Sequence, residues 1–449
     1  MDKMKIYNKL PVFLQNAACY YEGLRIKKSR YNKKFWDLLA DYESRNSWTY
    51  EQLCEYRDNK LRQIVKYCYE FVPYYKRLFN DLGINFESIK TLEDLCVLPI
   101  LTKQIVKDNF DDFISTDIPR SKMILLHTSG TTGSGFKFYT TNESINEQWA
   151  VWWRYRRKLG IEYDSWCALL GGRSVVPVTT TTPPFYRMNT PCKQVYFSTY
   201  HMNDNNMKSY IAELEKRKLQ WIHGYPSAIN LLADYIISHD IKLSNFPEFI
   251  TIGAENLLPT QVEKIYSAFK VLPYQHYGLS EGTANFSHNR NRDMYVDEDF
   301  AAVEFIAQNG DQGCEVIGTS LSNYAMPLLR YRTGDIARVE YTPNGRLIKV
   351  IDGRNEDYLV LSNGTKIGRL DHIFKDIVNV KEAQIVQKQK EEVILRVVKN
   401  KNYTKVDEDM IHKEASQRLK GVNLTIEYVE NIPRSSSGKL RFVISELPK

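Results

Sequence analysis

The chain has 449 residues and a formal net charge of +7 at pH 7. This length is enough for two or three domains with a sizeable core, and the 43% hydrophobic and 26% charged content is ordinary for a globular protein. No run of Lys and Arg is long enough to form a nucleic-acid-binding arm, so we expect no nucleic-acid partner. No window has the apolar length of a transmembrane helix.

The cysteines and the N-terminus indicate the compartment. Seven cysteines occur singly, without a Cys-x-x-Cys pair, so neither a disulfide framework nor a zinc knuckle is expected. The apolar stretch Leu10–Tyr21 is interrupted by Gln15 and Asn16 and lacks the cleavage pattern of a signal peptide. These features predict a cytoplasmic protein.

Residues 1–120 are predicted to be mostly helical and to form the N-terminal part of a large domain. The segment Tyr50–Phe71 has apolar residues at helical spacing and breaks at Val72 and Pro73. Met123–Leu126 is predicted to be a short strand that leads directly into a glycine-rich loop. A strand followed by such a loop is the context that a phosphate-binding loop needs.

Residues 121–352 are predicted to form the core of the large domain. From Trp166 to Val350, strand-like runs alternate with helical runs, which predicts an α/β fold with mainly parallel sheets flanked by helices. The part near 293–350 has short strands and glycine turns and is predicted to be a small β-rich subdomain. Residues 353–449 follow a polar turn and are predicted to be a small, mobile α+β domain.

Four short motifs, far apart in the chain, suggest one nucleotide site. They are the Gly/Ser/Thr loop Thr128–Gly135, then Tyr277–Glu281, Tyr331–Asp335 and Pro433–Lys439. The amides and hydroxyls of a Gly/Ser/Thr loop can all donate to a phosphate, and glycine allows close approach. An acidic residue after a tight turn can hold Mg²⁺ or a ribose, and a lysine on a Ser-Gly turn can reach a transferring group. Together these motifs predict ATP-dependent activation of a carboxylate.

With these motifs in this order, the chain resembles the adenylate-forming superfamily of acyl-CoA synthetases, luciferases and peptide-synthetase adenylation domains. Within it, the chain is most similar to the phenylacetate-CoA ligase branch and to its capsule-biosynthesis relatives of the CapK type. The segments Arg62–Tyr75 and Leu98–Lys103 resemble the N-terminal region of that branch, and Leu10–Asn16 is more similar to the capsule relatives.

The resemblance implies a role for each motif. The ATP phosphates would contact the loop residues Thr128, Ser129, Gly130, Thr131, Thr132 and Gly133. Among these, Thr131 would be a catalytic residue. The nucleotide would also contact Gly253, Ala254, Glu255, Tyr277, Gly278, Ser280, Asp335 and Arg354. Tyr277 would stack on adenine, Asp335 and Arg354 would reach the ribose, and Glu281 would be a catalytic residue and the Mg²⁺ ligand. Lys439 would be the catalytic lysine, and Glu356 the hinge. Members of the family usually have a lysine three residues after the glycine of the Thr-Thr-Gly sequence. In this chain Lys137 instead follows that glycine, Gly133, by four residues.

The substrates are less closely defined. Gly171, Gly172, His223 and Tyr225 lie at predicted strand ends and are candidates for the pocket of a small carboxylic acid, although His223 is equally well explained as a core histidine. The acceptor of the acyl group would be CoA or another thiol, or an amine or hydroxyl of a sugar. The leading interpretation is a carboxylate-CoA ligase. The alternatives are an adenylating transferase in capsule or surface-polysaccharide synthesis and a non-catalytic nucleotide-binding protein; a homodimer is left open.

Overall fold

The fold is taken from a computed structural model. It describes residues 6–128, 136–171, 173, 175–177, 179–308, 313–354, 359–360, 366–367, 370–374, 379–419, 422–434 and 440–447. The helices, in chain order, are α1 (Val12–Arg30), α2 (Lys33–Ser44), α3 (Tyr50–Phe71), α4 (Pro73–Asp81), α5 (Lys103–Asp108), α6 (Asn142–Leu159), α7 (Asp204–Arg217), α8 (Pro226–Ser238), α9 (Pro259–Phe269) and α10 (Lys405–Arg418). Among the described helices, none combines the length and apolarity that a bilayer span requires.

The strands are also given in chain order. They are β1 (Ile124–Thr128), β2 (Phe136–Thr140), β3 (Cys167–Leu170), β4 (Tyr186–Asn189), β5 (Gln194–Phe197), β6 (Trp221–Gly224), β7 (Phe249–Ile252), β8 (Tyr274–Gly278), β9 (Asn285–His288), β10 (Met294–Val296), β11 (Ala301–Ala307), β12 (Cys314–Ser320), β13 (Tyr331–Thr342), β14 (Gly345–Arg354), β15 (Leu359–Val360), β16 (Lys366–Ile367), β17 (Val380–Gln389), β18 (Glu392–Lys399), β19 (Asn423–Tyr428) and β20 (Val443–Ser445). The predicted α/β fold class is confirmed.

The chain forms two compact units, and both are discontinuous in sequence. The first unit contains residues 1–23, 164–274 and 352–449. Its strands β7, β6, β3 and β5 lie side by side and run parallel, and β4 pairs antiparallel with β5. Apolar side chains of α8 and α9 pack with those of β6 and β7 in one core, which includes Ile222, Leu232, Ile250 and Ile265. The carboxyl ends of these parallel strands therefore meet at one edge, where ligands bind in such sheets.

A second sheet of the first unit lies in the C-terminal part of the chain. Its order is β19-β18-β17-β20, with β17 and β18 antiparallel and each outer strand parallel to its neighbour. This sheet has its own apolar core, which includes Ile385, Leu395, Ile411 and Val443. Thr404 and Asp407 form a capping box at the start of α10, which satisfies amide groups that the helix itself leaves without partners.

The second unit contains residues 24–163 and 275–351. Its strands follow the order β11-β12-β13-β14-β10-β9-β8, and β1 and β2 form a separate antiparallel pair. In this unit β8 pairs antiparallel with β9, β11 with β12, and β12 with β13. The connections 279–284, 308–313 and 321–330 are all shorter than the dozen or more residues that a parallel crossover needs, so these neighbours can only be antiparallel.

The helix predicted over Tyr50–Phe71 has these bounds in the structure, as α3. Its first turn is closed by a capping box between Thr49 and Gln52, and Pro73 begins the next helix. The strand expected over Met123–Leu126 is found as β1, which pairs with β2 so that Thr128 lies opposite Phe136. These two strands therefore place Thr128 and Phe136, the described residues on either side of 129–135, opposite each other.

Candidate active site

In the second unit, the structure brings together two of the motifs that the sequence singles out. Tyr277 lies near the end of β8, and its hydroxyl donates a hydrogen bond of 2.6 Å to Oδ2 of Asp335 in β13. Asp335 is buried, with 8% of its surface exposed, and Glu281 in the turn after β8 is equally buried. The motifs Tyr277–Glu281 and Tyr331–Asp335 therefore form a single cluster of a phenol and two carboxylates.

The electrostatics of this cluster keep the phenol protonated. Burial and the neighbouring carboxylates of Asp335 and Glu281 raise the pKa of Tyr277 well above its ordinary value. At neutral pH the hydroxyl is therefore a hydrogen-bond donor to Asp335. The ring of Tyr277 stacks on Phe286, with ring centroids 4.7 Å apart and planes at 19°. This stack fixes the plane of the ring that the resemblance assigns to adenine.

The neighbours of Asp335 hold its backbone in place. Gly334 has a φ of +83°, a conformation that glycine adopts without strain. The amide of Asp335 donates to the Thr333 hydroxyl at 3.1 Å, and that hydroxyl donates to the carbonyl oxygen of Val316 at 2.8 Å. Thr333 and Phe286 received no role from the sequence. Thr333 lies within the motif Tyr331–Asp335, so the sequence could have suggested it. Phe286 lies outside the four motifs and is identified only by its cross-strand pairing with Tyr277.

Two glycines with close neighbours position the turn that carries Glu281. A Cβ atom at Gly318 would lie 2.2 Å from the carbonyl oxygen of Thr283, so glycine lets the turn pack directly on β12. A Cβ atom at Gly278 would lie 2.8 Å from Oδ1 of Asn285. That oxygen accepts hydrogen bonds of 2.9 Å from both Trp152 Nε1 and His276 Nε2. Gly278 therefore allows β8 to fit closely against a fixed amide. Ser280 is exposed in the same turn.

In the first unit, the residues after β7 form a strained turn. Gly253 follows the strand, and Ala254 has a φ of +68°, which is uncommon for a residue with a side chain. The carboxylate of Glu255 then accepts two main-chain hydrogen bonds, from Ser227 at 3.1 Å and from Leu440 at 2.9 Å. Burial raises the pKa of Glu255, while these hydrogen bonds and Arg434 act in the opposite direction. Strain of this kind persists only where the surrounding structure fixes it, and it is concentrated at functional sites.

His223 and Tyr225 lie at the carboxyl end of β6. His223 Nδ1 lies 2.8 Å from Thr251 Oγ1 and 3.2 Å from the Thr251 carbonyl oxygen. Both oxygens belong to Thr251 in the neighbouring strand β7, so these contacts hold the imidazole ring against that strand. The Tyr225 amide donates to the carbonyl of Leu170 at 3.0 Å.

The open space at this edge of the sheet lies next to Gly171. A Cβ atom built there would have no neighbour within 4 Å, so a side chain at this position would extend into unoccupied space. By contrast, a Cβ atom at Gly224 would lie 2.3 Å from the carbonyl oxygen of Leu170. Gly224 is therefore required for close packing of β6 against β3, whereas Gly171 is a candidate for the wall of a cavity.

Several predicted site residues lie outside the described part of the chain. These are Ser129, Gly130, Thr131, Thr132, Gly133, Gly172, Glu356 and Lys439. Thr128 ends β1 and Arg354 ends β14, and the description of both is limited to the backbone. Lys137 is exposed in β2. Within the described residues, no group of three or more His, Cys, Asp and Glu side chains is arranged to hold a metal ion. The roles assigned to all these residues stay predictions.

Comparisons with known proteins agree with this architecture. A family profile described as the CapK C-terminal domain matches residues 359–446. Protein CapK of Staphylococcus aureus is 27% identical over 459 residues, which cover 98% of this chain and 99% of that protein. The phenylacetate-coenzyme A ligase of Pseudomonas putida is 25% identical over 427 residues, with 89% and 87% covered. A 2-hydroxyisobutyryl-CoA ligase structure, in the postadenylation state with 2-HIB-AMP, matches with a TM-score of 0.65, 19% identity and coverage of 87% and 89%.

The chain thus has the fold of the adenylate-forming acyl-CoA ligases. Within that class, it is a homologue of CapK and of the phenylacetate-coenzyme A ligases. The resemblance inferred from the four motifs is confirmed at this level, and the homologues support an enzyme of the ligase type.

Proposed function

We propose that the protein activates a small carboxylic acid with ATP and then transfers the acyl group to a thiol, with CoA as the leading acceptor. The observation that carries the proposal is the 2.6 Å hydrogen bond between Tyr277 and Asp335, which brings together two of the predicted nucleotide motifs. The homology to phenylacetate-coenzyme A ligases supports the same reaction.

In the first step, an oxygen of the carboxylate attacks the α-phosphorus of ATP. The bond from that phosphorus to the bridging oxygen breaks, so that the products are an acyl-adenylate and pyrophosphate. Asp335 would accept the ribose hydroxyls and Tyr277 would stack on adenine, and together they would hold the adenosine part of ATP in one orientation. Lys439 would stabilise the charge that develops on the phosphoryl oxygens.

In the second step, the sulfur of a thiol attacks the acyl carbon and AMP leaves. The thiol gives up its proton, and the products are a thioester and AMP. The chain itself supplies no nucleophile in this scheme. The acid would enter at the carboxyl ends of β3 and β6, where Gly171 adjoins open space and where His223 and Tyr225 lie.

Magnesium is part of the proposal. Mg²⁺ takes oxygen ligands and commonly binds through one or two carboxylates together with phosphate oxygens and waters. The buried Glu281 carboxylate, close enough to Tyr277 to influence its pKa, is an oxygen donor of the required kind. When bound, the ion would neutralise charge on the phosphates of ATP.

A second candidate function is acyl or aminoacyl activation for capsule or surface-polysaccharide synthesis. The match to protein CapK favours it, since that match covers nearly the whole of both chains. In this case the second acceptor would be an amine or a hydroxyl of a sugar instead of CoA. In both cases we place the reaction in the cytoplasm; all seven cysteines lie in the described part of the chain, and none forms a disulfide bond.

The first step can be tested independently of the acceptor. Purified protein is incubated with ATP, Mg²⁺, radiolabelled pyrophosphate and each member of a panel of aryl, hydroxy and amino acids. We expect label to appear in ATP with at least one acid, because adenylation is reversible in the absence of an acceptor. CoA and sugar amines are then added to the active acid, and the acceptor that yields a stable product distinguishes the two functions. Absence of exchange across the panel would contradict adenylation.

A further inference from the structure

Glu255 connects two distant parts of the first unit. Its Oε2 atom accepts the amide of Ser227 at 3.1 Å, and its Oε1 atom accepts the amide of Leu440 at 2.9 Å. The strained φ of +68° at Ala254 turns the chain immediately before it. Ser227 is the second residue of α8, and Tyr225, at the N-cap position, makes no side-chain hydrogen bond to the helix. Glu255 therefore supplies the acceptor that the start of this helix needs.

The other partner of Glu255 lies next to the residue that the four-motif pattern marks as catalytic. Leu440 follows Lys439 directly in the sequence. On the other side of the segment 435–439, Arg434 forms an ion pair with Glu382 of β17, and Arg434 also influences the pKa of Glu255. Two carboxylates thus hold the residues that flank this segment, one on each side.

We propose that Glu255 is a positioning residue for the adenylation step: it holds the backbone amide of Leu440, the residue that directly follows Lys439 in the sequence. This inference rests on the proposed function, since it assigns Glu255 to the step in which Lys439 acts. A direct contact between Glu255 and ATP is the less favoured role. Both carboxylate oxygens already accept main-chain amides, and a carboxylate repels phosphate.

The test compares Glu255→Gln with Asp407→Asn. Gln keeps the size of the side chain, but it replaces one acceptor oxygen by an NH₂ group that cannot accept an amide. Asp407 is a matched control because it is also a buried carboxylate of the first unit that accepts a main-chain amide, from Thr404 at 2.7 Å, and its second oxygen accepts the side-chain amide of Asn379 at 3.0 Å. Three quantities are measured for both variants: the rate of acyl-adenylate formation, the KM for ATP and the rate of acyl transfer from chemically supplied acyl-AMP.

For Glu255→Gln we expect adenylate formation to slow by about tenfold, the scale for losing one charge-assisted hydrogen bond. The KM for ATP should change by less than about twofold, because the substitution does not remove a contact that binds ATP equally in the ground state and the transition state. Acyl transfer from supplied acyl-AMP should be unchanged, and Asp407→Asn should leave both half-reactions intact. Hydrogen exchange should be faster at the Leu440 amide in Glu255→Gln alone. Leu440→Pro, which removes the donor instead of the acceptor, should slow adenylation similarly.

Three results would overturn the inference. They are an increase in the KM for ATP with an unchanged maximal rate, equal losses in both half-reactions, and normal adenylation despite faster exchange at Leu440. The failure of this inference is distinct from the failure of the proposed function. A wild-type protein without pyrophosphate exchange contradicts the proposed function itself, whereas an active wild type with an equally active Glu255→Gln variant contradicts only the positioning role.

Discussion

The substitution Asp335→Ala tests whether the Asp335 carboxylate binds the ribose of ATP or only stabilises the fold. The substitution removes an acceptor that is 8% exposed and that receives the Tyr277 hydroxyl at 2.6 Å. If Asp335 holds the ribose, ATP binding should weaken by about 1–3 kcal/mol, the range for losing hydrogen bonds to a charged group. This loss corresponds to a Kd that is roughly 5- to 150-fold higher.

Tyr277→Phe is the matched control for this experiment. It removes the same internal hydrogen bond but keeps both the carboxylate and the ring that stacks on Phe286. Both variants should lower the free energy of unfolding by about 1–3 kcal/mol, because each leaves one buried partner unsatisfied. Only Asp335→Ala should show the large loss of ATP affinity in isothermal titration calorimetry. Equal ATP affinities of the two variants, after correction for the folded fraction, would refute the ribose role.

Three further predictions concern the lysine, the acid pocket and the pH dependence. Lys439→Ala should slow acyl-adenylate formation on the order of a hundredfold, which is the scale for losing one preorganised electrostatic contact. The same variant should retain acyl transfer from supplied acyl-AMP. Equal losses in both half-reactions would contradict the role assigned to Lys439. Gly171→Leu should raise the KM for the acid while the melting temperature is retained, because a side chain there meets open space; an unchanged KM for every acid would count against a pocket at Gly171. Burial lowers the pKa of His276 from 6.5 to about 4, so the unfolded state binds the proton first and stability is lost as the pH falls through this window. Between pH 7 and pH 5 the loss should be about 2 kcal/mol in urea titrations, and His276→Gln should remove that share of the pH dependence; an unchanged pH slope would show that His276 titrates normally.

Local sequence signals were sufficient to predict several individual helices and strands. The helix Tyr50–Phe71 is bounded by a capping box and a proline, both of which act within a few residues of the helix end. The strands Cys167–Leu170 and Trp221–Gly224 are short apolar runs that end in glycine or lead to one. In both cases the structure depends on neighbours in sequence, so composition and periodicity identify it.

The contacts that join the motifs could not be predicted in the same way. Tyr277 and Asp335 are 58 residues apart, and Glu255 and Leu440 are 185 apart, so their hydrogen bonds depend on the packing of whole strands. The left-handed conformation of Ala254 has no local signal, because alanine is not a residue that favours a positive φ. The order of the motifs along the chain does indicate the nucleotide chemistry, but the partners of each side chain require the fold.

The most direct test of adenylation follows the oxygen atoms of the substrate. The active acid is labelled with a heavy isotope of oxygen at both carboxylate positions and converted with ATP, Mg²⁺ and the acceptor, and the products are analysed by mass spectrometry. Attack of the carboxylate on the α-phosphorus predicts that one labelled oxygen stays on AMP after the acceptor takes the acyl group, with pyrophosphate unlabelled. Label in inorganic phosphate together with ADP, or no transfer of label to any phosphate, would contradict an acyl-adenylate intermediate.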